Sequence, residues 1–182
     1  MTVTIEKPKI ISLLYKQEKT DKDYGSCLWA RFLFDTENYS LHIESDCGNY
    51  SYSWCPTPNT ESFLHLMARI DKGYLLCKIS DRTVVDGEAT FESLKVNLED
   101  VCDDDDVDWE EVKEYCCGGY DEREMVEEIN SEIHNEFIGE YDIWECVQKD
   151  YPNNAKKIAS VFCNHIIPAI KNIIREDADN GC

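Results

Sequence analysis

The chain has 182 residues, 42% of them hydrophobic and 11% aromatic, which is enough to bury a core and excludes wholesale disorder. Its 38 acidic side chains outnumber the 18 basic ones, and the formal net charge of −20 argues against direct binding to DNA or RNA. Because the sequence shows neither a signal-peptide pattern at its start nor an apolar run long enough to span a membrane, we expect a cytoplasmic protein.

The first third of the chain alternates apolar and polar residues, which is typical of strands with one solvent-exposed face. In the clearest case, Tyr39, Leu41 and Ile43 alternate with polar side chains. Short turns separate four such segments, so we expect an antiparallel meander of about four strands within residues 10–55. The predicted strands are 10–16, 27–34, 39–45 and 50–54.

A helical pattern follows. Thr57-Pro58 is suited to begin a helix, and Phe63, Leu66, Met67 and Ile70 then form one apolar stripe. We interpret residues 74–79 as a short buried apolar segment. Further helices are predicted at 88–99, 109–116, 122–137, 143–149 and from Asn153 onward, the last one kinked at Pro168.

Strands first and helices after predict an α+β fold, with an antiparallel sheet covered by helices and an acidic helical C-terminal half. The charge pattern suggests two domains, a sheet-and-helix domain at residues 1–98 and an acidic helical region at 99–182. Residues 99–145 hold 20 acidic side chains against two basic ones, Lys113 and Arg123. The flanks are nearly balanced, so this block concentrates the negative charge and favours a basic partner.

The densest part of the block gives the candidate contact residues. Asp103 to Asp106 repel one another and predict a solvated loop, and Asp108 is placed to cap a helix that begins near Trp109. The simpler interpretation is a capped helix behind an acidic loop, and the functional one is a row of charges offered to a basic groove. The predicted partner-binding residues are Asp103, Asp104, Asp105, Asp106, Asp108, Glu110, Glu111 and Glu114.

Calcium binding does not fit the same stretch. With Asp104, Asp106 and Asp108 as the first ligands of an EF-hand loop, the required glycine is Trp109 and the terminal glutamate is Tyr115. The ten cysteines include no Cys-x-x-Cys pair, and Cys116-Cys117-Gly118-Gly119 is interpreted as a helix end. We therefore expect no metal and no cofactor.

No nucleophile elbow, phosphate-binding loop or zinc-protease helix is present, so we expect a protein without enzymatic activity. A catalytic pair of His42 with Cys47 or Cys55, and a nuclease built on the strand-end acids Asp35, Glu44 and Asp46, remain alternatives. Aromatic side chains that could stack bases lack a basic surrounding and are assigned to the core. These aromatics are Trp29, Tyr50, Tyr52 and Trp54.

Three short stretches carry a resemblance. The segment at 46–54 reads DCGNYSYSW, the segment at 61–64 reads ESFL, and the segment at 70–78 reads IDKGYLLCK. Together with DYP at 150–152 and IPAI at 167–170, they resemble a group of small phage and prophage proteins with a D-x-G-N-Y-x-Y-x-W hairpin. The resemblance covers residues 25–80 well and the end loosely, and it implies a phage origin and a fold rather than a mechanism.

In size and charge the chain also looks similar to phage anti-CRISPR proteins. That resemblance implies an inhibitor whose acidic surface imitates nucleic acid in the basic channel of a type II Cas nuclease or its guide RNA complex. Two alternatives stay open. One is a nuclease-like enzyme that acts on guide RNA, and the other is a phage accessory protein that inhibits another DNA-binding host protein or self-associates.

Overall fold

A computed structural model describes residues 8–56, 61–98, 107–133 and 138–180. The chain divides into two compact units, one made of residues 1–81 and 151–182 and the other of residues 82–150. We call them the sheet unit and the acidic unit. In chain order the elements are β1 (Ile10–Lys16), β2 (Trp29–Asp35), β3 (Ser40–Ser45), β4 (Tyr50–Ser53), α1 (Phe63–Arg69), α2 (Lys72–Ile79), β5 (Val84–Val85), α3 (Gly87–Leu98), α4 (Trp109–Cys117), α5 (Glu122–Glu132), α6 (Glu140–Cys146), β6 (Lys149–Asp150), α7 (Asn153–Val161), a π-helical turn (Phe162–Ile166) and α8 (Ile167–Asn180).

The predicted meander is confirmed. Strands β1 to β4 form one antiparallel sheet in sequence order, and Phe32 of β2 lies opposite Leu13 of β1 and Ile43 of β3. This register places Ala30, Phe32 and Phe34 on one face, where all three are fully buried. Helices therefore cover that face, and the fold is α+β as the order of patterns predicted.

The helices of the sheet unit come from two distant parts of the chain. Phe162 lies with its ring centroid 5.8 Å from that of Phe32 and 6.4 Å from that of Phe34, and Phe63 of α1 packs on Phe34 as well. The C-terminal helices thus close the same core as α1. The predicted domain boundary at residue 98 does not coincide with these units, because residues 151–182 belong with the sheet.

Residues 74–79, interpreted from the sequence as a short buried apolar segment, belong to helix α2, in which Leu75 and Leu76 are buried. The helix begins after Asp71, whose carboxylate accepts a hydrogen bond from the Tyr74 amide at 2.8 Å. The predicted start of the preceding helix at Thr57-Pro58 lies outside the described residues, and α1 has Ser62 as its N-cap.

Trp29, assigned to the core, is 38% exposed on the uncovered face, whereas Trp54 is buried.

The predicted disturbance at Pro168 takes the form of a π-helical turn directly before it. The Ile167 amide donates to the Phe162 carbonyl, which is one residue further back than in an α-helix. A proline has no amide hydrogen and its ring clashes with the preceding turn, so a wider turn lets the helical path continue through it.

The acidic unit has its own core beneath α3 to α6. Its fully or almost fully buried side chains include Leu94, Val112, Met125, Ile129 and Ile143. The two-residue strands β5 and β6 pair antiparallel at the ends of the unit's sequence. Among the described residues, no helix is long and apolar enough to cross a membrane.

Candidate functional site

The negative charge belongs to one compact unit. The acidic unit holds 24 of the 38 acidic side chains and five of the 18 basic ones, which gives it a net charge of −19. The sheet unit, assembled from both ends of the chain, is left with −1. Because the acidic block of the sequence lies within one structural unit, the surface that could attract a basic partner is the surface of residues 82–150.

Capping carboxylates begin both central helices of this unit. Asp108 accepts from the amides of Glu110 and Glu111 at 3.1 and 3.2 Å, which confirms the predicted cap of α4. Asp121 caps α5 in the same way through Arg123 and Glu124. Carboxylates also occupy each first turn, where they interact favourably with the positive end of the helix dipole.

The apolar stripes of the same helices decide which way the acids face. Val112 of α4 and Val126 and Ile129 of α5 are completely buried, so the opposite sides of these helices carry the charge. The glutamates that are exposed on these two helices are Glu110, Glu111, Glu114, Glu124, Glu127 and Glu128. The carboxylates of α4 and α5 are therefore at the surface rather than folded into the core.

Four of the eight predicted contact residues line one shallow cleft of about 570 Å³ on α4. They are Asp108, Glu110, Glu111 and Glu114, joined by Lys113 and Cys117. The other four, Asp103 to Asp106, lie outside the described residues. The structure thus brings the helical half of the predicted set together, and Asp108 combines a place in this cleft with its capping role.

The phenol of Tyr115 on α4 lies near acidic side chains of both α4 and α5. It donates a hydrogen bond to Oε1 of Glu111 at 2.6 Å. That bond raises the pKa of Tyr115 above its ordinary value, and desolvation and repulsion by Glu111, Glu128 and Glu132 raise it further. Because Glu128 and Glu132 belong to α5, acidic side chains of both helices lie on the side of the unit that contains Tyr115.

The few basic side chains of the unit compensate little of this charge. Lys113 lies 3.8 Å from Glu88, Arg123 lies 2.7 Å from Glu127, and Lys149 lies 2.8 Å from Glu122. Lys95 lies over the rings of Phe91 and Trp109. Within the described part of the chain, Glu110, Glu114, Glu124 and Glu128 form no ion pair, so these carboxylates remain available to a partner.

An EF-hand loop is incompatible with the observed helix. Such a loop beginning at Asp104 would extend to residue 115, but α4 already begins at Trp109. The cysteine cluster is a helix end, as predicted, since α4 stops at Cys117 and Gly119 has a φ of +83°. Burial raises the pKa of Cys116 to about 12, which keeps that thiol protonated.

The strand-end acids have structural partners. Asp35 accepts from the side-chain amide of Asn38 at 2.8 Å and from two backbone amides of the turn, and Glu44 lies 3.7 Å from Arg31. Asp46 accepts from the Leu28 amide at 2.9 Å. These carboxylates hold turns and strand ends.

The three histidines within the described residues lie on separate elements. His42 contacts the Ser40 hydroxyl at 3.4 Å, and His65 contacts Ser62, the N-cap of α1, at 2.7 Å. The ring centroid of His165 lies 4.8 Å from that of Tyr15. Cys47 forms hydrogen bonds with Ser26, Ser45 and Tyr50, and its sulfur lies near Cys27 and Asp46. The structure thus gives His42 and Cys47 different neighbours from those that the predicted catalytic pair would need.

One group of side chains escaped the sequence analysis. The sulfur atoms of Cys27 and Cys47 and a carboxylate oxygen of Asp46 all lie within 4.8 Å of one another at one end of the sheet. Cys27 is completely buried, and burial, followed by the neighbouring Cys47 and Asp46, raises the pKa of its thiol. The signal that could have found this group is the β2–β3 hairpin itself, which brings residues before β2 next to residues after β3.

Comparison with known proteins identifies a family for this chain. Residues 3–176 match the profile of a family described as a phage family. No curated protein and no solved structure matches the chain. The match covers nearly the whole sequence, including the acidic unit.

Proposed function

This chain belongs to that phage family, and from this premise we propose that it is an anti-CRISPR protein. It inhibits an RNA-guided Cas nuclease, and a type II nuclease is the favoured target. The acidic unit occupies the basic channel that otherwise holds DNA or RNA. The observation that carries the proposal is the confinement of a net −19 to residues 82–150, with the described carboxylates of α4 and α5 at the surface.

The spacing of these carboxylates suits a phosphate-binding groove. Four residues of an α-helix rise by about 6 Å, so Glu110 and Glu114 on α4, and Glu124 and Glu128 on α5, are separated by about that distance along each axis. Phosphates two nucleotides apart on one strand of DNA are separated by about 7 Å along the helix axis. A groove lined by Arg and Lys for a polynucleotide backbone therefore meets a comparable row of negative charges.

The proposed inhibition requires no chemistry. A Cas nuclease recognises its heteroduplex largely through the backbone, in a positively charged channel, and reads a short motif with arginine side chains. A protein of opposite charge is steered quickly to such a surface, and its presence there excludes the nucleic acid. Since exposed charges are screened over about 8 Å at physiological ionic strength, attachment should weaken as salt is added.

The experiment neutralises four carboxylates of the α4 cleft without removing their hydrogen-bonding atoms. The variant combines Asp108→Asn, Glu110→Gln, Glu111→Gln and Glu114→Gln. Asparagine caps a helix as well as aspartate does, and glutamine keeps an acceptor for Tyr115, so α4 stays folded. With about 0.2–1 kcal/mol for each exposed charge contact, the four changes together weaken inhibition by about fourfold or more.

A matched control neutralises four exposed acids of the sheet unit, by Glu18→Gln, Glu37→Gln, Glu176→Gln and Asp179→Asn. It changes the net charge by the same amount. The readout is the concentration of protein that halves target-DNA cleavage by the nuclease. Equal inhibition by the α4 variant and the wild-type chain removes this surface from the mechanism, and guide RNA that is shortened by the protein alone with a divalent metal supports an enzyme instead.

A further inference from the structure

Cys27, Asp46 and Cys47 meet at the open end of the β2–β3 hairpin in the sheet unit. Their two sulfur atoms and one carboxylate oxygen lie within 4.8 Å of one another. Cys27 is fully buried and Cys47 is 5% exposed, whereas Asp46 is exposed to solvent. The group therefore joins two buried thiols to a carboxylate that solvent can reach.

The hairpin register explains why these side chains converge. Ala30 of β2 pairs with Ser45 of β3, so the residues just before β2 and just after β3 lie side by side. The chain beyond β3 is held in place, because the Cys47 amide donates to Oγ of Ser45 at 3.1 Å and the Tyr50 hydroxyl donates to the Cys47 carbonyl at 2.9 Å. These hydrogen bonds fix the position of Cys47, and the hairpin register places the residues before β2, including Cys27, beside it.

The distances suit tetrahedral coordination. Zinc binds thiolate sulfur at about 2.3 Å and carboxylate oxygen at about 2.0–2.2 Å, which places two ligand atoms of a tetrahedron about 3.6 Å apart. Sγ of Cys27 lies 3.5 Å from Oδ1 of Asp46. The three ligand atoms all lie within 4.8 Å of one another. Sγ of Cys47 therefore has to move by about 1 Å at most to reach the separation of a tetrahedral site, and a side-chain rotation can supply that shift.

Asp46 also has the support that metal-ligating carboxylates usually have. Its Oδ2 accepts a hydrogen bond from the Leu28 amide at 2.9 Å, while Oδ1 is turned toward Cys27 and lies 3.4 Å from the Trp29 amide. Such outer contacts orient a ligand and are as characteristic of metal sites as the ligands themselves. Two thiolates and a carboxylate form a donor set that prefers Zn²⁺ to Mg²⁺ or Ca²⁺.

We propose that Cys27, Asp46 and Cys47 bind one soft divalent cation of the zinc class, with a water molecule as the fourth ligand on the exposed side of Asp46. Both thiols lose a proton when the cation binds, so two protons are released to solvent. The bound ion ties the start of β2 to the loop after β3. The site lies in the sheet unit, so it does not depend on the proposed role of the acidic unit.

Cobalt(II) tests the proposal, because it occupies zinc sites and thiolate ligation gives it an intense sulfur-to-metal absorption band. The reduced full-length chain is titrated with Co²⁺, and Zn²⁺ is then added to displace it. We expect one equivalent to produce the band and Zn²⁺ to remove it. We also expect Zn²⁺ to raise the melting temperature of the chain, because a cation that binds the folded state stabilises it.

Three variants assign the ligands. Cys27→Ala with Cys47→Ala should abolish the band, since alanine keeps the site apolar but provides no ligand. The matched control is Cys55→Ser with Cys77→Ser, which removes two exposed thiols and should leave the band unchanged. Asp46→Asn, at an exposed position, keeps both cysteines and should weaken Co²⁺ binding by about tenfold or more.

Two results would overturn the site. One is a wild-type chain that gives no band at one equivalent of Co²⁺. The other is a band that a folded Cys27/Cys47 variant keeps. If the alanine variant does not fold by circular dichroism, the Asp46→Asn variant decides, because an unchanged cobalt affinity and spectrum would remove the carboxylate from the site and refute the proposal.

Discussion

Gly87 lies at a close contact between two backbones in the acidic unit. It opens α3, and a Cβ atom built at this position would lie 2.2 Å from the Cys116 carbonyl oxygen and 2.8 Å from its carbonyl carbon, at the end of α4. Real Cβ atoms essentially never approach other heavy atoms closer than 3.0 Å. Gly87→Ala therefore requires a shift of about 0.8 Å between the start of α3 and the end of α4.

The obstacle is main chain, which no rotamer change can move aside. Overpacking in a well-packed region costs about 1–3 kcal/mol, and the gain in helix propensity from glycine to alanine returns up to about 1 kcal/mol. We therefore expect Gly87→Ala to lower the free energy of unfolding by about 1–2 kcal/mol. The effect should be confined to the acidic unit, because both contact partners belong to it.

The assay is urea denaturation combined with hydrogen exchange of the full chain, which separates amides of α3 and α4 from those of the sheet. Gly73→Ala is the matched control. Gly73 is also helical, but its new Cβ would meet only Oδ1 of Asp71 at an ordinary 3.4 Å, so that variant should gain up to about 1 kcal/mol. A Gly87→Ala chain as stable as the wild type, with unchanged exchange in α3 and α4, would refute the described packing.

Four further outcomes are expected. Asp121→Ala removes the cap of α5 and should cost about 1 kcal/mol by urea denaturation, whereas Asp121→Asn should cost little. Phe162→Ala should destabilise the sheet unit by about 3–5 kcal/mol, because Phe162 fills the core against β2, and unchanged exchange in the sheet would contradict this. The hydrogen bonds of Asn38 lower the pKa of Asp35, so the ionised carboxylate stabilises the folded chain. This stabilisation is complete above about pH 3.9, the pKa of an aspartate in the unfolded chain, and it is lost as the pH falls through the lower pKa of the folded chain. Denaturation between pH 6 and pH 2.5 should therefore show a steeper loss for the wild type than for Asp35→Ala. Adding sodium chloride should stabilise the acidic unit, where repulsion is screened, more than the sheet unit, and equal slopes for both would count against the charge division.

The sheet was predictable because its signal is local. Alternation in β3 places Leu41 and Ile43 on the buried face and His42 and Glu44 on the other, and the short turns on either side of β3 fix its pairing with β2 and β4. The caps at Asp108 and Asp121 are local in the same sense, although only the former was predicted.

Two domains were predicted, but the assembly of the sheet unit from both ends of the chain was not, because it depends on long-range contacts. Nothing near Phe162 in the sequence indicates that it packs on Phe32, about 130 residues earlier. The balanced charge of the last 37 residues was a usable signal, since it matches the balanced start of the chain rather than the acidic block. Segment 74–79 received no secondary-structure assignment because a short apolar run does not distinguish a strand from a buried helix, and Asp71 as its cap was overlooked.

The candidate sites show the same contrast. The α4 carboxylates could be named from sequence because they are neighbours along the chain, at a spacing that helix geometry converts into one surface. Cys27 and Cys47 are 20 residues apart and match no spacing motif for a metal, so only the hairpin register shows that they meet. A search for ligand residues at paired strand ends would have detected them.

The most direct test of the central claim is the dissociation constant of the wild-type chain for the guide-loaded Cas nuclease, measured with and without target DNA at several salt concentrations. If the acidic unit occupies the channel of the nucleic acid, the dissociation constant rises about tenfold or more between 0.1 and 0.5 M salt, and bound target DNA prevents association. A salt-independent constant, or equal binding to the nuclease with its channel already filled by DNA, would contradict the account.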